Sequence, residues 1–171
     1  MNMKRLIFLL LILCPGCGGN TPEERSVRDS NPALKTPAGL KFQDMAGKSH
    51  DVDTLLRQGQ SVALIFWQTW CKPCLREMPE LVKADLQHSP RLSFYGIISG
   101  PDKDVDEARV KTIVGRFGVR YPQVRDRDLR LSKIFGVEGT PTIVILGSGG
   151  SVLYRGHRLP DNWAAFTKRD G

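Results

Sequence analysis

Two cysteines, Cys71 and Cys74, stand where an unbroken apolar run gives way to a segment of helical periodicity, and this junction restricts the possible folds more than any other feature. Residues 62–67 are apolar without interruption, the pattern of a strand covered on both faces at the centre of a sheet. Leu75, Met78, Leu81, Val82 and Leu86 then recur at the spacing of one helix face. A helix start offers unpaired N–H groups and a partial positive charge, both of which favour a thiolate over a thiol. Cys71 sits at that start and is the expected nucleophile. Cys74 lies about one turn further in, is expected to be less exposed, and is placed to resolve a mixed disulfide rather than begin one. Pro73 fits the first turn, where its missing N–H costs nothing. Pro79 removes a bond to the carbonyl of Leu75 and predicts a kink.

The rest of the chain alternates strands with helices. Residues 40–45 alternate, turn at Ala46-Gly47 and continue to Val52, which reads as an N-terminal hairpin. Asp53 is expected to cap a short helix through Arg57. Residues 92–98 form the next strand, and Ser99-Gly100-Pro101-Asp102 turns the chain. Val110, Ile113, Val114 and Phe117 mark a second helix, its start favoured by Asp104 or nearby acids. A short edge strand is expected over 121–124 and a short helix over 129–135, ended by Gly136. Residues 142–146 read as a strand, 147–150 as a tight turn, 152–155 as its hairpin partner, and 161–168 as a closing helix carrying Trp163, Ala164 and Phe166. The pattern is that of an α/β domain with a mixed sheet.

The stretch FWQTWCKPCLREMP resembles the active-site segment of the thioredoxin superfamily, and more closely that of membrane-tethered TlpA/ResA-type proteins. The likeness continues through FGVRYPQVRDRDLRLSKIFGVEGTPTIVIL and covers roughly residues 37–171. It implies a thioredoxin-like fold: a mixed central sheet flanked by helices, an N-terminal hairpin and a central helical insertion. It implies that Trp70 is a flat wall beside the sulfur; the alternative is core packing. Glu77 shares a helix face with Cys74 and matches an acid that helps move the proton of the resolving thiol; the alternative is a solvated surface glutamate. Thioredoxin itself has a buried aspartate where this chain has Ile65, so proton movement falls to another group, such as Glu77, or to water. Thr140-Pro141 matches the superfamily's Thr–cis-Pro loop, whose backbone pairs with a substrate peptide as an added strand; the alternative is an ordinary trans turn. Cytochrome c maturation members often carry an acid after this proline, where Thr142 stands here. Lys72 adds positive charge beside Cys71.

The N-terminus reads as a targeting segment. Lys4 and Arg5 precede an apolar run over 6–13, which is far too short to span a bilayer. The run ends in Cys14-Pro15-Gly16-Cys17, which resembles a bacterial lipoprotein signal with Cys17 as the acylated residue. The alternative is an ordinary secretory signal cleaved nearby. The expected organisation is a signal over 1–17, a flexible linker over 18–36 rich in Gly, Asn, Pro and Ser, and one domain over 37–171. Cys14 is then discarded and Cys17 carries lipid, so Cys71 and Cys74 remain. A four-cysteine zinc site is disfavoured by the separation of the two pairs. The net charge of +7 comes from basic residues scattered along the chain, among them Arg57, Arg109, Arg125 and Arg127. That distribution reads as a solvated basic surface and argues against nucleic acid. His50, His88 and His157 are isolated and read as surface residues. No phosphate-cradling loop is present, and no metal or cofactor is expected.

The functional expectation is a lipid-anchored thiol–disulfide oxidoreductase facing the extracytoplasmic, periplasmic side. Within the resemblance it reduces disulfide-containing protein substrates and is kept reduced by a membrane thiol electron donor. One rival is a peroxidase of the peroxiredoxin type, although residues 64–70 lack that family's Pro-x-x-x-Thr-x-x-Cys setting. The other is a non-catalytic binding module that keeps the fold only to grip a partner.

Overall fold

The computed structural model describes residues 36–167. The expected signal segment with Cys17, the linker before Thr36 and the last expected helical residue, Lys168, lie outside the described residues. Strand β3 (Ser61–Phe66) is buried at every position, as its unbroken apolar run requires. It occupies the middle of a five-stranded sheet of order β5-β4-β3-β6-β7. On one side it pairs in parallel with β4 (Leu92–Ser99), which in turn pairs in parallel with β5 (Gln123–Asp126). On the other it pairs antiparallel with β6 (Thr142–Leu146), followed by the hairpin strand β7 (Val152–Gly156). The sheet is therefore mixed, and the fold is thioredoxin-like. A separate two-stranded hairpin, β1 (Lys41–Gln43) with β2 (Ser49–Asp51), precedes it.

Alternate residues of β3 point to opposite faces and seed two cores. Ala63 and Ile65, with Trp67, pack against Met78 and Leu81 of α2 (Lys72–His88) and Val110 and Ile113 of α3 (Glu107–Phe117). Val62, Leu64 and Phe66 pack on the other face against Val52 and Leu56 of α1 (Val52–Arg57) and Leu131 of α4 (Arg130–Ile134). Helix α3 is the expected central insertion. Asp106 caps it by accepting from Arg109 N–H at 3.0 Å, and it ends at Gly118 with φ 65°, a left-handed position that glycine takes without cost. Helix α2 runs through Pro79, which is exposed, so the missing backbone bond falls on the outer side of the helix.

Several expectations need correction. Asp51, not Asp53, caps α1, accepting from Thr54 N–H at 3.0 Å. Val52 is the first helical residue rather than the last of the hairpin, because it buries completely against the core. Asp53 lies in the first turn instead, where it accepts the N–H of Gly39. Leu86 is off the buried stripe of α2 and is 53% exposed. The edge strand is shifted to Gln123–Asp126. The closing helix is a 3₁₀ turn, Trp163–Thr167; its i, i+3 eclipse sets Trp163 against Phe94 and Phe166 against Tyr154, with ring centroids 5.2 and 6.1 Å apart.

Two residues read as solvated are not. The Arg125 side chain is only 2% exposed, and it donates to the carbonyls of Ile98 and Gly100 at 2.8 and 3.0 Å and to Asp102 and Glu107. His50 pairs with Asp44 at 2.8 Å and contacts the Tyr95 hydroxyl at 3.3 Å, fastening the hairpin to β4. Asp44 feels burial pushing its pKa up, but the bond from His50 and the N–H groups of Lys48 and Ala46 hold it below its ordinary value.

Gly96 serves the site directly. The Gln123 carboxamide lies so close that a Cβ on Gly96 would stand 2.1 Å from Gln123 Oε1. That oxygen accepts from Trp67 Nε1 at 3.0 Å, and the amide nitrogen donates to Tyr121 O at 2.9 Å. Only glycine leaves room for the side chain that holds Trp67, the residue from which the cysteine loop departs.

Candidate active site

The chain leaves β3 under restraint. Trp67 N–H donates to Ile97 O at 3.0 Å, prolonging the parallel ladder, and Cys71 N–H closes back onto Gln68 O at 3.1 Å. Four residues, Gln68, Thr69, Trp70 and Cys71, thus suffice to turn from strand into helix. Cys71 is the N-cap of α2, with extended φ −76° and ψ 95°, and its Sγ accepts from Cys74 N–H at 3.2 Å. Lys72 and Pro73 fill the first helical positions. The sulfur therefore occupies the place where an oxygen cap ordinarily sits, facing the unpaired N–H groups and positive end of the helix.

Cys71 and Cys74 are joined as a disulfide with S–S 2.03 Å. In this state the two residues are 3% and 2% exposed, so the expected difference in accessibility does not appear; what distinguishes them is that Cys71 alone is the N-cap of α2. Beside them Trp70 is 67% exposed, which excludes core packing and leaves an apolar platform next to the disulfide. Trp67 is the buried one, at 1%.

Glu77 lies one residue before buried Met78 on the same turn of α2. Its Oε2 is buried and has no hydrogen-bond partner among the described residues. Burial pushes the Glu77 carboxyl above its ordinary pKa, and the charge of Arg76 only partly opposes this. A solvated glutamate would show neither feature. Burial thus makes the Glu77 carboxyl hold its proton to higher pH than a solvated one.

The second segment enters from β6. Thr142 pairs with Phe66 across the antiparallel ladder, so residues 139–141 leave the sheet at the same end as the cysteine loop. The Thr140–Pro141 bond is cis. The loop is bonded on both sides of Thr140: Thr142 Oγ1 donates to Gly139 O at 2.7 Å, and His157 Nδ1 lies 2.8 Å from Pro141 O. Thr140 Oγ1 is buried with no partner among the described residues.

The fold thus gathers Cys71, Cys74, Glu77 and Trp70 from α2 and its entry loop, and brings Thr140 and Pro141 from β6 to the same end of the sheet. Sequence reading missed His157. Its only signal is a histidine directly after the hairpin strand that flanks the Thr-Pro loop, and which hairpin residue reaches that loop depends on the bulge between Ile145 and Leu146 in the β6–β7 ladder. Among the described residues no cluster of His, Cys, Asp and Glu is arranged to hold a metal ion.

Residues 26–163 match the family model described as Redoxin. The chain is 30% identical over 159 residues to the thiol-disulfide oxidoreductase ResA of a Bacillus cereus strain, covering 90% of this chain and 88% of that protein. It is 28% identical over 176 residues to ResA of Bacillus thuringiensis subsp. konkukian, covering 99% and 98%. Among solved structures it superposes on StoA from Bacillus subtilis with a TM-score of 0.62 at 20% identity, over 78% of this chain and 96% of that one, a likeness of fold. With a Cys-x-x-Cys disulfide at a strand–helix junction and relatives that align along nearly their whole length, the chain belongs to the Redoxin family of the thioredoxin superfamily and is a thiol–disulfide oxidoreductase of the ResA/TlpA type.

Proposed function

We propose that this chain reduces protein disulfides outside the cytoplasm, anchored to a membrane through lipid on Cys17, with Cys71 as nucleophile and Cys74 as resolving residue. The observation that carries the proposal is Cys71 Sγ at the N-cap of α2, where Cys74 N–H points at it. In the reduced protein the Cys71 thiolate attacks one sulfur of a substrate disulfide. One Sγ–S bond forms, the substrate S–S bond breaks, and the first substrate thiolate leaves. The Cys74 thiol passes its proton to the Glu77 carboxylate. Its thiolate then attacks Cys71 Sγ, which forms the Cys71–Cys74 bond and releases the second substrate thiolate. Two electrons have moved to the substrate, and a membrane thiol donor returns two to the chain by the same exchange in reverse.

Trp70 offers the substrate an apolar wall, and the backbone at Thr140, ahead of Pro141, pairs with its peptide. Residues 1–17 act as the lipoprotein signal and 18–36 as the tether that carries the 37–171 domain off the bilayer. No helix among the described residues is long and apolar enough to cross a membrane, and the anchor assigned to Cys17 needs none.

Trapping tests this directly. A Cys74→Ser variant expressed with its own signal should hold its client as a mixed disulfide on Cys71, released by dithiothreitol and absent from the Cys71→Ser/Cys74→Ser double variant. A redox titration of the purified protein should give a potential in the reducing range, near about −270 mV or below; a value near about −120 mV would make it an oxidant instead. Radiolabelled palmitate should enter the full chain and not a Cys17→Ala variant.

A further inference from the structure

His157 is exposed and follows β7 directly, yet its imidazole is tied to the loop that leaves β6 at the same end of the sheet as the cysteine loop. Its Nδ1 lies 2.8 Å from Pro141 O and 3.2 Å from Thr142 Oγ1. A carbonyl only accepts, so Nδ1 carries the proton. The Thr142 hydroxyl has already given its single hydrogen to Gly139 O at 2.7 Å, so towards His157 its oxygen also accepts. One N–H is thereby shared between Pro141 O and Thr142 Oγ1. The carbonyls on both sides of Thr140 are occupied by the protein itself, and Thr140 is the loop residue left between them.

We propose that His157 is a positioning residue for disulfide exchange: by anchoring Pro141 O it holds the 139–142 loop so that the Thr140 backbone is presented as a rigid edge to a peptide substrate. The inference rests on the reading of this site as a reductase of protein disulfides and deepens it. His157 touches neither sulfur, so its effect should appear only with substrates that have a peptide backbone to dock.

The test compares the wild-type full chain with His157→Ala and His157→Asn, because the asparagine amide can replace Nδ1–H as a donor. Second-order rate constants of the reduced proteins are measured with a disulfide-linked peptide pair and with dithiobisnitrobenzoate, which has no backbone. The expected result for His157→Ala is a loss on the order of 10-fold with the peptide, the equivalent of one hydrogen bond, and less than about 3-fold with the small disulfide at unchanged Tm. His157→Asn should recover most of the peptide rate. Equal losses with both substrates, an unchanged peptide rate, or failure of His157→Asn to recover it would each overturn the proposal. A readout independent of turnover is hydrogen exchange of the Thr140 and Thr142 amides in the oxidised protein. It should quicken in His157→Ala and return in His157→Asn; no change would also overturn the anchor. If wild type fails to reduce the peptide while the exchange effect holds, the reductase reading falls and the anchor stands.

Discussion

Two buried polar regions of this protein are built on opposite plans. At the β5–α4 corner every charge is satisfied. Asp126, 3% exposed, accepts from the N–H groups of Leu131 and Ser132 at 2.9 Å each and from Ser132 Oγ at 2.7 Å, with Ser99 Oγ at 3.4 Å. Arg125 beside it is equally occupied by two carbonyls and two carboxylates. At the redox end, Glu77 Oε2 and Thr140 Oγ1 are buried without partners among the described residues. Buried polar groups in native proteins are nearly always paired, and each exception calls for an explanation; Gln60 Oε1, before β3 and away from both regions, is a further one. The saturated corner ties β5 to α4, while the redox end leaves two buried oxygens unpaired; under the proposed function these are the groups that would meet a proton and a substrate.

The sharpest test of this contrast is at the sulfur. Cys71→Ser removes the group around which the unsaturated end is arranged and should abolish disulfide reduction, measured as NADPH-coupled or direct thiol release. The same substitution should leave the β5–α4 corner unchanged in amide exchange. Residual turnover in Cys71→Ser would mean that Cys74 attacks first and that the assignment by helix position is wrong.

Asp126→Ala breaks the other region. It strands two backbone N–H groups and takes the acceptor from the Ser132 hydroxyl in a buried corner, which costs about 3 kcal/mol, or about 10 °C in Tm for a domain of this size. Denaturant unfolding checks this, and the intrinsic rate with a small disulfide should stay near wild type in the folded fraction. A loss below about 1 kcal/mol would show that the corner is not the structural member of the pair.

Glu77→Gln probes the reserve. The unfolded side chain titrates at its ordinary 4.5, while burial raises the folded value. Between the two the folded state binds more protons, so this group's contribution to stability falls as pH rises through that window. Glutamine removes the titration. The variant should therefore match wild type below 4.5, where Glu77 is protonated in both states, and gain on wild type as pH rises from there through the raised folded value, as thermal unfolding across pH would show. It should also lack a proton acceptor for Cys74 and resolve mixed disulfides more slowly, by on the order of 100-fold. Destabilisation at neutral pH would mean that the carboxylate has a charged partner and is not held in reserve.

The same contrast explains what the residues alone could tell. The apolar run of β3, the helical stripe after Cys71 and the Thr-Pro before β6 are local patterns, and they yielded the sheet, the insertion helix and the disulfide's setting. Arg125 and His50 looked like surface residues because their partners lie far off in sequence or across a turn: Asp102 and Glu107 for one, Asp44 and Tyr95 for the other. His157 was illegible for the same reason, since its partner Pro141 lies across a hairpin whose register shifts at Ile145/Leu146. The sequence placed the cap of α1 at Asp53 rather than Asp51 because Val52 satisfies a strand pattern and a helix start equally well. Local periodicity carries fold; long-range pairing of polar groups, on which the two regions differ, does not show in periodicity.

The smallest effect is expected at Thr140. Thr140→Val keeps the β-branched shape and removes only the hydroxyl. If Oγ1 is buried without a partner, as in the oxidised protein, its loss relieves a desolvation cost, and the variant should be more stable by about 1 kcal/mol. The same kind of change at a residue of the saturated corner, Ser132→Ala, should destabilise by a similar amount, because Asp126 and Ser99 then lose a donor and a neighbour. Chemical denaturation of both variants in the oxidised state compares them under one condition. Opposite signs would establish that the two regions differ in how their polar groups are satisfied and not merely in where they lie. Equal destabilisation would show that Thr140 Oγ1 has a partner in solution, and the reserve at the redox end would then reduce to Glu77 alone.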